Sequence, residues 1–193
     1  MSKSLYLINP KADTRSYYEA EVFTYLGLPP TALIADLAIT TVAALAPSDF
    51  EIALCDEHIS AVDLNHPAQY IGITGKSSQV KRMITLAQEF RQRGKIGIIG
   101  GPYASLSPDA MRPYCDILIC GEMEEIAVQL FADLASGCWQ PEYVGGRPDL
   151  RLSPIPRWDM YPNTRALVGC VQTSRGAFTA LRCCRDHRSV YRH

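Results

Sequence analysis

The sequence predicts an α/β fold, a doubly wound and mostly parallel five-stranded sheet with an extended C-terminal tail. Three observations lead there. Short apolar runs alternate with longer stretches of helical periodicity. The runs are continuously apolar, as strands covered on both faces must be. Three of them run directly into glycine turns, as expected where a strand hands over to a helix.

The strands are expected at SLYLIN (4–9), EIALC (51–55), YIGIT (70–74), IGIIG (96–100) and DILIC (116–120). Between the first two, TALIADLAITTVAALA begins at Thr31, a good N-cap, and repeats Leu33, Ile34, Leu37, Thr41 and Leu45 at helical spacing. SQVKRMITLAQEFRQRG places Val80, Met83, Ile84, Ala87 and Phe90 on one stripe and stops at Gly94. Ser107-Pro108 starts a short helix, and GEMEEIAVQLFADLASG opens acidic and closes at Gly137. Residues 59–66 leave room for a further short helix. The succession points to the flavodoxin-like strand order 2-1-3-4-5.

Past residue 140 the character changes. Residues 1–140 are expected to form the α/β domain and 141–170, rich in proline and without periodicity, a linker lying extended over a surface. Residues 171–193 end in RCCRDHRSVYRH, too polar and basic to fold alone.

Composition narrows the classes. With 193 residues, 47% hydrophobic content and a net charge of −1, the chain is sized for a single core and gives no electrostatic case for nucleic acid or an anionic membrane. No apolar run reaches the roughly 18 residues that span a bilayer. MSKSLYLINP lacks a signal peptide's pattern, so a cytoplasmic protein is expected. Seven cysteines include no CxxC pair, so no metal-ligating residues are assigned. Cys55, Cys115 and Cys120 read as reduced core thiols. No side chain stands out as a catalytic acid, base or nucleophile.

Ligands of such sheets sit at the strand carboxyl ends. The loop after the first strand, NPKADTRSYY, has no glycine and so is no dinucleotide-binding turn. GITGKSS is no P-loop, because Tyr70 stands where that motif needs glycine. Gly72-Ile73-Thr74-Gly75, Gly100-Gly101-Pro102 and Gly121-Glu122 could let a large planar or nucleotide-like group approach main chain, or could simply make tight turns.

The order LYLINP, LGLPPTALIADLA, EIALCDEH, YIGIT, IGIIGGPYAS, CDILICGEMEE and VQTSRG resembles the N-terminal cobalamin (B12)-binding domain of B12-dependent radical SAM proteins, over residues 4–176. The resemblance implies a Rossmann-like B12-binding fold and a corrinoid held over Asn9, Pro10, Thr74, Ser77, Gly100, Gly101, Pro102, Gly121 and Glu122. The partner would be a radical SAM barrel that carries a [4Fe–4S] cluster and S-adenosylmethionine in a full-length parent. The three cluster cysteines would follow Ser174-Arg175-Gly176, but positions 177, 181 and 184 hold Ala177, Leu181 and Cys184. A non-catalytic module, truncated and frameshifted after Gly176, is therefore expected. The alternatives are a complete radical SAM/cobalamin enzyme (a methyltransferase or related) represented by a fragment, or another small-molecule-binding domain on the same scaffold. Asp56-Glu57-His58 resembles the start of the DxHxxG signature, but Ala61 replaces its glycine and it follows the wrong strand. Cobalamin is thus expected without a protein histidine on cobalt, and His58 as a loop residue.

Overall fold

Continuous apolar runs make strands here because both faces of the sheet are covered. In a computed structural model, which describes residues 3–12, 23 and 25–173, they form a six-stranded sheet. Its strands are β1 (Ser4–Asn9), β3 (Glu51–Asp56), β4 (Tyr70–Thr74), β5 (Ile96–Gly100), β6 (Ile117–Cys120) and β7 (Glu142–Val144). The order is β3-β1-β4-β5-β6-β7, parallel throughout. This is an α/β Rossmann-like fold. The first five strands take the expected order, and β7 adds a sixth at the edge from residues expected to be linker.

Two helical layers close the sheet. Leu5 and Leu7 pack with Ile39, Phe50, Ile117, Leu130, Phe131 and Leu134 on one face. Tyr6 and Ile8 pack with Ile71, Ile73, Met83, Leu86, Phe90 and Leu118 on the other. Alternate residues of one strand thus feed opposite cores, each fully buried aliphatic side chain contributing about 1.5–3 kcal/mol. The first layer uses α1 (Leu37–Leu45) and α5 (Met123–Ser136), and the second uses α2 (Val80–Gln92), α3 (Pro102–Leu106) and α4 (Pro108–Met111).

The first helix starts later than its periodicity suggests. Thr31 is not its cap: Ala32–Ile34 form a strand, β2, paired in parallel with β8 (Ala166–Val168) in a separate small sheet. The cap is Asp36, whose Oδ1 accepts from Ile39 N at 2.9 Å. Residues 59–66 form turns and no helix. No described helix is long and apolar enough to cross a membrane.

Burial, outweighing the capping bond to Ile39, pushes the Asp36 carboxyl above its usual value, with Asp56 adding repulsion. A raised carboxyl pKa in the fold costs stability as pH rises through the interval between the unfolded and folded values. Asp36→Asn keeps the cap and removes the charge. It is expected to raise the melting temperature near about pH 7 and leave it unchanged near about pH 2.5, where both states are protonated. Calorimetry at the two pH values checks this, and an equal shift at both would contradict it.

Candidate ligand site at the carboxyl edge

All the strands of the main sheet end at one edge, and the chain leaves it to opposite faces after β1 and after β4. That divergence is the topological switch point where open α/β sheets hold ligands. The β1 side presents Asn9 and Pro10, both buried, and the β4 side presents half-buried Thr74 and exposed Ser77. Gln79 spans the two. Its Nε2 donates to Asn9 Oδ1 at 2.9 Å and to the Pro10 carbonyl, while its Oε1 accepts from Lys76 N at 2.7 Å.

Asp56-Glu57-His58, set aside in the sequence, anchors this edge. Asp56 Oδ2 accepts from Tyr161 OH at 2.6 Å and Asn9 Nδ2 at 3.2 Å. Its Oδ1 meets His58 N at 3.0 Å and His58 Nδ1 at 2.8 Å. Burial works to raise the Asp56 carboxyl, but the bonds from His58 and Tyr161 together outweigh it and hold it below its usual range. Glu57 takes the Arg82 guanidinium on both oxygens, at 2.9 and 3.0 Å from Nε, and accepts from Lys11 N at 3.1 Å. The loop after β1 is thus held from both of its neighbours.

Tyr161 reaches Asp56 from the proline-rich segment. Burial and the Asp56 charge push its hydroxyl far above a free phenol, so it remains the donor. Arg157 N also donates to Thr40 O at 3.0 Å, and Arg165 Nε to Pro30 O at 3.0 Å. These bonds strap residues 157–168 to the sheet's carboxyl side. Tyr161→Phe removes one charge-assisted bond and leaves the ring packed. It is expected to destabilise by about 1.5–3 kcal/mol, read from urea unfolding.

The glycines divide by what approaches them. A Cβ on Gly101, at φ +90°, would lie 2.4 Å from Thr74 Oγ1 and 3.0 Å from Gly75 N. One on Gly121, at φ +81°, would lie 2.1 Å from Gly145 O. Both glycines therefore admit neighbouring protein, the tight-turn alternative open in the sequence. Gly121 N also receives a partner in Ser105 Oγ at 2.9 Å. Gly100 and Glu122 are half-buried and Pro102 exposed. At this edge Lys76, Ser77 and Pro102 are exposed, Thr74, Gly100 and Gly101 are half-buried, and Gly75 is buried.

Cys55 and Cys120 are buried, and Cys115 is partly so. Burial pushes the Cys115 and Cys120 thiols up to about 11, so neither is a ready thiolate. Ser174 through His193, with the expected frameshift and Cys183–Cys184, lie outside the described residues.

No protein-family model matches the chain. It is 30% identical over 152 residues to a methyltransferase of Synechocystis designated sll1242, across 75% of this chain and 28% of the relative. The chain is similar to methyltransferases. It is 29% identical over 109 residues to the bacteriochlorophyllide d C-8(2)-methyltransferase of Chlorobaculum tepidum, 55% of this chain and 24% of that one. It is 26% identical over 156 residues to the hopanoid C-2 methylase of Rhodopseudomonas palustris, 77% of this chain and 28% of that one. The chain spans about a quarter of the length of these relatives.

These relatives correct the expected function. Their names state methyl transfer, and none states a corrinoid, a radical mechanism or an iron–sulfur cluster. Among the described residues no group of three or more His, Cys, Asp or Glu is placed to hold a metal ion. The expected assignment to a radical SAM protein gives way to this similarity to methyltransferases. With it go cobalamin as ligand, the radical SAM barrel as partner and the [4Fe–4S] cluster of a parent.

Proposed function

We propose that this chain is the ligand-binding α/β part of a longer methyltransferase that places methyl groups on carbon of a large ring-system acceptor. The observation carrying this is the similarity to methyltransferases whose names give carbon positions on a bacteriochlorophyllide or a hopanoid. The carboxyl edge supports it by offering one rim at the switch point, backed by a buried polar network that fixes its shape.

S-adenosylmethionine is the methyl donor such an enzyme would use. A Rossmann-like sheet reads a nucleoside through a glycine-rich first turn and an acidic side chain at the end of the adjacent strand. The residues present do not fit that mode. The turn after β1 is Asn9-Pro10-Lys11, and the Asp56 carboxylate is already engaged by Tyr161, Asn9 and His58. No step through the donor is therefore assigned to this edge.

The ligand of the rim is instead the large ring-system acceptor. It would lie over Thr74, Ser77, Gly100, Gly101 and Pro102, with Asn9 and Pro10 below it and Gly121 and Glu122 at its far end. A chlorophyllide and, separately, S-adenosylhomocysteine titrated into 15N-labelled protein test this. The chlorophyllide should shift the amides of Thr74, Ser77 and Gly101, and S-adenosylhomocysteine should not, while Phe50 and Phe131, at the opposite edge, stay still. Shifts confined elsewhere, or none with either ligand, would overturn the reading.

A further inference from the structure

The small sheet of β2 and β8 has no role in the ligand rim. It is a two-stranded parallel pair separate from the main sheet. Parallel sheets are almost always covered on both faces, and an isolated pair of strands is marginal in water. Ala32 is covered, at 3% exposure, but its strand opens outward along its length. Ile34 and its register partner Val168 are 53% and 51% exposed, Leu167 is 57% and Val171 is 88%. Among the described residues each strand has a single strand neighbour, so each keeps an unpaired edge.

We propose that this sheet is the seam at which the remainder of the longer methyltransferase joins, adding a parallel strand to β8 or β2 and covering Ile34, Leu167, Val168 and Val171. The inference rests on the proposed function. Three observations select that occupant. The matched stretch is only 24–29% of each relative, so the bulk of such an enzyme has to meet this part somewhere. Ile34 and Val168 lie on one face of the pair and Leu167 on the other, so both faces show aliphatic side chains without charge, which suits a buried strand and not a polar surface. The existing pair is parallel, so extending it in kind takes a strand entered by a crossover connection, as a further α/β layer supplies. A second copy paired edge to edge about a two-fold axis perpendicular to the strands would instead run antiparallel.

The probe is the Synechocystis relative with its matched residues deleted, co-expressed with this chain. The two are expected to purify as a one-to-one complex, with the amides of 32–34 and 166–168 protected from hydrogen exchange. Ile34→Lys with Leu167→Lys should weaken the complex at least about tenfold. The same double variant of the isolated chain should keep its melting temperature, since both side chains already face water. A complex indifferent to the double variant overturns the seam. So does a homodimer of the isolated chain, seen by sedimentation and dissolved by the same variant. No complex at all, with the ligand shifts at Thr74 and Gly101 intact, overturns the seam and leaves the proposed function standing. Loss of both overturns both.

Discussion

Asp56→Ala is expected to cost the fold about 3–5 kcal/mol, a large share of what a domain of this size possesses. The side chain is 1% exposed and accepts from three residues at once. Removing it strands the buried Tyr161 hydroxyl and one amide proton of Asn9 without their acceptor. Asp56→Asn, which keeps one acceptor oxygen and the volume, should lose less. The pH dependence supplies a second signature. Because the folded carboxyl lies below its usual value, its contribution is complete above the unfolded value of about 3.9 and disappears as pH falls through the folded one. The wild type should therefore lose stability in that acid range, and the alanine variant should show a shallower decline. Urea unfolding at neutral pH and along an acid series measures both. A cost under about 1 kcal/mol would mean that the network is ornamental.

Gly121→Ala should be almost as severe, and for a different reason. The added methyl would meet the Gly145 carbonyl at 2.1 Å, and backbone cannot turn away as a side chain can. The positive φ adds its own penalty, so about 3 kcal/mol or outright failure to fold is expected. Gly145→Ala should do the same, since its methyl would lie 1.8 Å from Glu122 O. Gly94→Ala supplies the control. Its φ is +71°, but nothing lies within 4 Å, so only the conformational penalty of about 1 kcal/mol remains. Circular dichroism melts of the three variants decide it, and equal losses would refute the steric argument.

The sheet was legible because the physics that builds it is local and repetitive. Buried parallel strands must be apolar on every residue, and YIGIT and IGIIG announce that without context. Helix α1 was misjudged at its start because Leu33 and Ile34 satisfy a helical spacing and a strand equally. Only the pairing of Ala32 with Ala166 decides between them, across a separation no periodicity reports. The proline-rich segment read as linker since its few apolar residues follow no period, yet Tyr143 and Tyr161 are each buried singly. The carboxyl edge was only half legible. Thr74 and Gly100–Pro102 are legible as strand ends, whereas Ser77 enters only through the family resemblance. The likeness of Asp56-Glu57-His58 to a metal signature masks its role, although three consecutive ionisable residues ending a buried strand signal a polar hub. The order of apolar runs is shared with relatives named for methyl transfer, and it does not specify the cofactor that the resemblance implied.

The strap across the carboxyl edge also bears on the order of events during folding. Tyr161 meets Asp56 over 105 residues of chain, while β4 and β5 meet across the single crossover helix α2. Closing so long a loop is entropically costly until the sheet exists to receive it. The strap should accordingly dock after the rate-limiting barrier. Loosening it by Tyr161→Phe should then accelerate unfolding and leave the refolding limb of a stopped-flow chevron where it was. The bond that shapes the carboxyl edge would in that case set how long the native state lasts and have no part in how quickly it is reached.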